Sequence, residues 1–339
     1  MTKSRLFEPC SIKGVTFKNR IAMAPMCQYS ADNDGLVNDW HLHHYVTRAI
    51  GQAGLIVVEA TAVEPRGRIS NKDLGLWSDA AIGPFRQLIQ QVKKYGCKIG
   101  VQIAHAGRKA TIMDEPIVAP SAVPFNNKLQ IPVELNKSEI TRVIQAFGRA
   151  VGRAVEAGAD FVEIHAAHGY LINQFLSPLT NMRKDEYGKD RSLFLQVIMA
   201  EVVKYTPEKM PVFLRISAED YMKGGNHPED LCILLEPVRN MIDLVHVSSG
   251  GVDENAVVKM YPGYQLSFAD IIRQKLKLPV MAVGMMEAPD FAENALMHNK
   301  ADFIALGREF LRNPYWPIHA AKQLGDDIDW PEQYNRAKM

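Results

Sequence analysis

A (β/α)8 barrel is the fold class this sequence predicts, and three observations carry the prediction. Eight short apolar runs punctuate the 339 residues. Most are rich in Val and Ile without polar alternation, the pattern of strands buried on both faces of a parallel sheet. Most are also followed by a longer stretch with helical spacing, and strand–helix alternation repeated eight times closes a barrel. A doubly wound open sheet is the alternative. The chain is longer than the roughly 150 residues usual for one domain, but barrels often reach about 250 or more as a single unit, so one domain over 1–339 is expected.

The runs are 21–26, 55–60, 99–104, 161–165, 212–216, 244–248, 280–284 and 303–307. Before the first, residues 1–20 read as a small hairpin turning at Lys13-Gly14 that plugs the barrel mouth opposite the site. Between the second and third, Ile82, Phe85, Leu88, Ile89 and Val92 recur every three or four residues and Gly96 follows, which predicts an amphipathic helix over 80–95. Residues 105–137 carry Pro116, Pro120, Pro124 and Pro132, too many for one helix; the segment leaves the end of the third strand and is expected to act as a lid-like loop. A helix is expected from Ser138 to Gly158, and a polar loop from Asn173 to Arg191. Residues 323–339 form a tail.

Composition narrows the partners. Lys plus Arg number 39 against 38 Asp plus Glu, with no run of like charge, so nucleic acid and anionic membrane surfaces are not expected partners. The first residues lack the long apolar core of a signal peptide, and no stretch approaches the ~18 apolar residues of a membrane span. The four cysteines, Cys10, Cys27, Cys97 and Cys232, are scattered with no Cys-x-x-Cys pair, which points to reduced thiols and a cytoplasmic protein.

Barrel enzymes place their chemistry at the carboxyl ends of the strands. Those ends carry Ala24-Pro25-Met26-Cys27-Gln28-Tyr29, then Ala60, then Gln102 and His105-Ala-Gly-Arg-Lys109, then His165, His168 and Tyr170, then Arg215, Ser248-Ser-Gly-Gly251, Gly284 and Gly307-Arg308. Glycines after the seventh and eighth strands let backbone N–H groups approach a phosphate, and Arg308 adds a charged fork. Neither glycine lies in a G-x-G-x-x-G fingerprint, so a Rossmann site is not indicated. From spacing alone, His165 and His168 allow a metal site, a structural cluster or a clamp on a carbonyl oxygen. Zinc would want a carboxylate or third histidine on a neighbouring strand end, and none is evident.

In the order of these motifs, from Lys18-Asn-Arg-Ile and Ala24-Pro-Met to Gly307-Arg308 and Gln333-Tyr-Asn-Arg336, the chain resembles the old yellow enzyme family of FMN-dependent ene reductases. Cys27 after Pro-Met, with His165-x-x-His168-x-Tyr170, is similar to the thermophilic-like bacterial NADPH dehydrogenase branch; the classical branch usually has Thr at the Cys27 position. The resemblance implies FMN across the barrel mouth, touching Ala24, Pro25, Met26, Cys27, Ala60 and Gln102, with Arg215 beside the N1/C2 carbonyl region and Gly284, Gly307 and Arg308 on the phosphate. A fixed cation at Arg215 would raise the flavin potential. It implies NADPH as reductant, with NADH possible, and enones, maleimides or quinones as oxidants. His165 and His168 would donate to the substrate carbonyl, Tyr170 would protonate the α-carbon, Cys27 would tune the flavin, and Tyr29 and Lys109 would border the substrate or nicotinamide pocket.

The same resemblance implies a homodimer or homotetramer in which Arg336 reaches a neighbouring active site, and a detoxifying role. The chain ends Ala337-Lys-Met339 where an aromatic end is expected of such a tail. A metal-dependent barrel hydrolase using the His pair and a flavin-binding protein without turnover are the other functions considered. An iron–sulfur relative is disfavoured, because the C-terminal half offers Cys232 alone.

Overall fold

The computed structural model describes residues 3–112 and 115–338; Met113 and Asp114, within the 105–137 connection, lie outside them. Strands β1 (Ile21–Met23), β2 (Leu55–Ala62), β3 (Lys98–Ala104), β4 (Phe161–Ala166), β5 (Val212–Ser217), β6 (Leu244–Ser248), β7 (Val280–Val283) and β8 (Phe303–Leu306) pair in parallel and in chain order, and β8 pairs β1 to close a barrel. Every residue of β2, β4, β5 and β6 is buried, because helices cover the outer face and side chains fill the inner one.

The apolar run 21–26 overstates β1, whose ladder ends at Met23. Pro25 has no N–H to give the neighbouring strand, so the apolar residues after Met23 line the mouth instead of the sheet.

The lower mouth is plugged as expected. Cys10–Ile12 pairs antiparallel with Val15–Phe17. Phe17 is fully buried, and its ring packs against Phe161, Phe213 and Phe303 at centroid distances of 6.0, 6.3 and 5.2 Å. Phe161 and Phe303 begin β4 and β8 and Phe213 is the second residue of β5, so the aromatic layer seals the amino-terminal end and leaves the carboxyl end open.

Two expected elements are corrected. The helix placed at Ser138 spans Lys137–Glu156 and is capped by Asn136: its Oδ1 accepts the Glu139 N–H at 3.0 Å while Glu139 Oε2 accepts the Asn136 N–H at 3.0 Å. Asn with Glu three residues on is a capping box, a stronger start signal than Ser138. Residues 173–191 are not a plain polar loop but contain helices Leu171–Leu176 and Glu186–Lys189. The polar residues of the first of these helices face inward. Asn173 Oδ1 accepts the Gly169 N–H at 2.7 Å, and Gln174 Nε2 donates to Gly169 O at 2.7 Å and Ala106 O at 3.2 Å.

The 105–137 connection is tied across the mouth. It holds two short parallel strands, Val118–Ala119 and Val133–Glu134. Arg108 donates to the carbonyls of Val123 (3.2 Å) and Pro124 (3.0 Å) within it and to that of Val252 beyond β6. No helix among the described residues is long and apolar enough to cross a membrane.

Candidate active site

His165 is the last residue but one of β4 and is buried. Its Nδ1 accepts the Ala167 N–H at 3.2 Å, which puts the ring proton on Nε2 and leaves that N–H without a partner among the described residues. His168 follows in a left-handed turn (φ 57°), a strained conformation for a residue with a Cβ, held by its N–H donating to Ser217 Oγ at 2.9 Å. Its Nε2 lies 2.8 Å from Ser248 Oγ. Burial first, then the charge of Arg215, pushes both imidazoles well below the usual histidine range, so both are neutral.

The turn is locked from the other side by glycine. A Cβ on Gly169 would lie 2.1 Å from Gly251 O, so the loops after β4 and β6 touch backbone to backbone only because both residues are glycine. Lys109 Nζ staples the junction, donating to His168 O at 2.9 Å and Gly251 O at 3.0 Å, and lies over the rings of Phe125 and Tyr170. Burial lowers its pKa to about 8, with Arg108 adding to the shift. Lys109 therefore braces the junction of the loops after β4 and β6.

Tyr170 stands edge-on to His165, ring centroids 4.9 Å apart, and His168 to His165 at 5.3 Å. Burial raises the Tyr170 phenol far above 10, with Cys27, Tyr29 and Asp73 adding, so it keeps its proton. Cys27 is half-buried. Burial, then Asp73 and Glu59, push its thiol far above the usual range, and the Tyr29 hydroxyl hydrogen-bonds with it. Tyr29 is itself pushed up to about 12, first by burial and then by Cys27. These two, with Tyr170, are coupled electrostatically to Arg215 or to one another across the mouth.

Glu59, inside the apolar run of β2, was not singled out in the sequence, nor was Asp73. Cys27 Sγ and the carboxylates of Glu59 and Asp73 lie within 4.8 Å of one another, and among the described residues theirs is the one such group of three potential ligands. His165 and His168 are not in it, so the His pair lacks the third ligand that a metal hydrolase would need.

On the opposite side a cavity of about 470 Å³ is lined by Arg215, Ser248, Tyr264, Gln265, Gly284, Gly307 and Arg308, a volume in the range of cofactor sites. Its walls call for an anion and a polar chain. Arg215 is buried, its Nε has no partner, and no hydrogen bond from its guanidinium to a described residue is made. Arg308 likewise makes no ion pair or hydrogen bond among the described residues. Gly284 has φ 121°, and a Cβ there would lie 2.8 Å from Gln265 Nε2, which is fixed by the Val283 carbonyl at 2.8 Å. Orphaned cations and a glycine-lined end fit the phosphate and polar side chain of FMN.

Ala24, Ala60 and Gln102 are buried at the upper ends of β1, β2 and β3, with Pro25 and Met26 beside them. Arg336 is the site candidate that nothing among the described residues ties to the cluster. It lies exposed in the turn Glu332–Ala337, where Tyr334 and Tyr315 hydroxyls meet at 3.3 Å.

Comparison with known proteins gives the family. The family model for the NADH:flavin oxidoreductase / NADH oxidase family matches residues 5–327. The NADPH dehydrogenase of Clostridium acetobutylicum is 47% identical over 98% of this chain and 99% of its own length, and that of Geobacillus sp. strain WCH70 is 49% identical over 98% of each. The solved old yellow enzyme homologue from Zymomonas mobilis superposes with a TM-score of 0.80 at 28% identity, covering 97% of this chain and 96% of its own. The chain belongs to the NADH:flavin oxidoreductase / NADH oxidase family, as an NADPH dehydrogenase that uses FMN.

Proposed function

We propose that this enzyme reduces the C=C bond of α,β-unsaturated carbonyl compounds, with His165 and His168 as the carbonyl clamp and Tyr170 as the proton donor. The observation that carries the reading is the His165 tautomer: an Nε2–H fixed by the backbone, on a ring that burial keeps neutral, is a hydrogen-bond donor that ordinary pH does not alter. If Ser248 donates to His168 Nε2, the second ring offers Nδ1–H. Two neutral donors aimed at one oxygen stabilise the charge that grows there as the alkene is reduced, each worth about 3 kcal/mol in the transition state.

FMN, when bound, would supply the hydride chemistry that couples NADPH oxidation to reduction of the substrate C=C, in the two half-reactions of a ping-pong cycle. Arg215 balances negative charge at the pyrimidine end of the mouth. Tyr170, protonated in the resting site, gives its proton to the α-carbon as the enolate collapses and is reprotonated from solvent before the next cycle. Gly284, Gly307 and Arg308 would hold the FMN phosphate. The 105–137 connection, fastened by Arg108, acts as the lid that keeps water from the clamp. Cys27 tunes the cofactor, Tyr29 borders the substrate, and Arg336 completes a neighbouring subunit's site in a homo-oligomer. Enones, maleimides and quinones are the expected oxidants, NADH is a possible second reductant, and clearing such electrophiles in the cytoplasm is the role this suits.

The experiment is anaerobic stopped flow on the FMN-loaded enzyme. NADPH should bleach the flavin absorbance, and 2-cyclohexenone added in a second mix should restore it. A flavin bleached by NADPH but not restored by any enone would overturn the proposed substrate class.

A further inference from the structure

β4 carries, two residues before His165, a charge in the middle of an apolar strand: Glu163, with no exposure at all. An ionised carboxylate in a barrel core must be fully partnered or lose its charge. Glu163 is partnered on both oxygens. Gln102 Nε2 donates to Oε1 at 2.7 Å, and His246 Nδ1 lies 2.8 Å from Oε2; both of these residues are buried. Gln102 is its register partner on β3, and His246 is the register partner of Arg215 on β5. Burial works against the charge, but His246, Arg215 and Gln102 outweigh it and hold the carboxyl below the usual range. His246 is neutral, chiefly through burial, so it serves Glu163 as an Nδ1–H donor.

Two consequences follow for the groups at the mouth. An ionised carboxylate only accepts, so it dictates which end of the Gln102 amide turns toward it. The NH2 end faces Glu163, and the carbonyl Oε1, which has no partner among the described residues, is left for a ligand. The second consequence is electrostatic. Arg215 has no hydrogen-bonded counter-ion, and Glu163 is first among the groups whose charge supports its own. The charge that the ring of a bound flavin meets is therefore the Arg215 cation moderated by the Glu163 anion.

We infer that Glu163 is a positioning residue for the cofactor: it orients the Gln102 amide for the flavin pyrimidine edge and offsets Arg215, and so sets both FMN affinity and reduction potential. This rests on the reading of Gln102 and Arg215 as flavin contacts.

The test uses full-length protein with Glu163→Gln, which keeps shape and removes charge, and Glu163→Asp, which keeps charge and withdraws it by one methylene. FMN dissociation constants come from fluorescence titration of apoprotein, and midpoint potentials from anaerobic dye titration. Glu163→Gln should bind FMN at least tenfold more weakly and favour the reduced over the oxidised flavin about tenfold, a rise of ~30 mV for a two-electron couple. Glu163→Asp should weaken FMN binding while the potential stays near that of the wild type. Apoprotein melting curves report folding separately; if Glu163→Gln does not fold, an unchanged FMN affinity in Glu163→Asp still overturns the inference. So does wild-type affinity and potential in a folded Glu163→Gln. Gln102→Leu and Arg215→Met separate the two readings. If neither changes FMN affinity or potential, the flavin-contact reading fails; if they do and the Glu163 variants do not, this inference alone fails.

Discussion

The Tyr170 ring stands edge-on to that of His165, centroids 4.9 Å apart and planes at 84°. An acid and a hydrogen-bond donor thus occupy one small volume at the end of β4, and in the proposed reaction they divide the work: one ring would hold the carbonyl and the other would deliver a proton. Tyr170→Phe should slow flavin reoxidation by cyclohexenone about 10² to 10⁴-fold and leave bleaching by NADPH near the wild-type rate. Equal slowing of both half-reactions would show that the phenol does not act as the acid.

Cys27 offers a different kind of test, because its surroundings favour the thiol. Burial and the carboxylates of Asp73 and Glu59 keep it protonated, and the thiolate is the reactive species. Iodoacetamide at pH 7.5 should therefore alkylate Cys27 more slowly than a free cysteine, read by peptide mass spectrometry. Cys27→Ala should retain FMN with a shifted midpoint potential. Rapid alkylation, or an unchanged midpoint, would remove the tuning role.

Glu59 ties pH to stability. Burial, the largest cause, raises its carboxyl from 4.5 to about 7. The folded state then holds its proton more tightly than the unfolded one, so stability is full below about pH 4.5 and falls as pH rises through 7. At ~1.36 kcal/mol per pH unit between those values, the loss is roughly 3 to 4 kcal/mol. Glu59→Gln should flatten the fall in apoprotein Tm across that window and raise Tm at pH 8. A slope identical to that of the wild type would place the titration elsewhere, with Asp73, raised to about 6 by burial, as the first residue to examine.

The tail gives a prediction about assembly. Truncation after Tyr334 removes Arg336 while leaving the contact between the Tyr315 and Tyr334 hydroxyls. Activity should fall with no change in apoprotein melting if Arg336 completes a neighbouring site, and full activity would count against that role.

Much of this site was legible in the sequence because parallel-barrel strands announce themselves by unbroken apolar runs and their carboxyl ends are where chemistry collects. The runs 161–165 and 212–216 gave both strand and candidate site residue in one reading. The rest was hidden by tertiary context. Asn173 and Gln174 look like loop residues, yet they are buried because they satisfy the backbone of Gly169 beneath His168. Asp73 stands in a polar stretch, Ser-Asn-Lys-Asp-Leu, and only the fold brings it to Cys27. Glu59, Glu163 and His246 did leave a signal: a lone ionisable residue inside a strand otherwise buried on both faces must be paired. That signal points to the layer beneath the mouth, which a reading of strand ends alone passes over.

The most direct measurement of the central claim, a carbonyl clamp above a flavin, is titration of the FMN-loaded enzyme with a phenolic ligand such as 4-hydroxybenzaldehyde, followed by the long-wavelength absorbance that a phenolate stacked on oxidised flavin produces. The account predicts saturable binding in the wild type and binding weakened by 10² or more in His165→Ala with His168→Ala, with FMN affinity within a few-fold of the wild type. Equal phenol affinity in the two proteins, or loss of FMN along with the histidines, would contradict it.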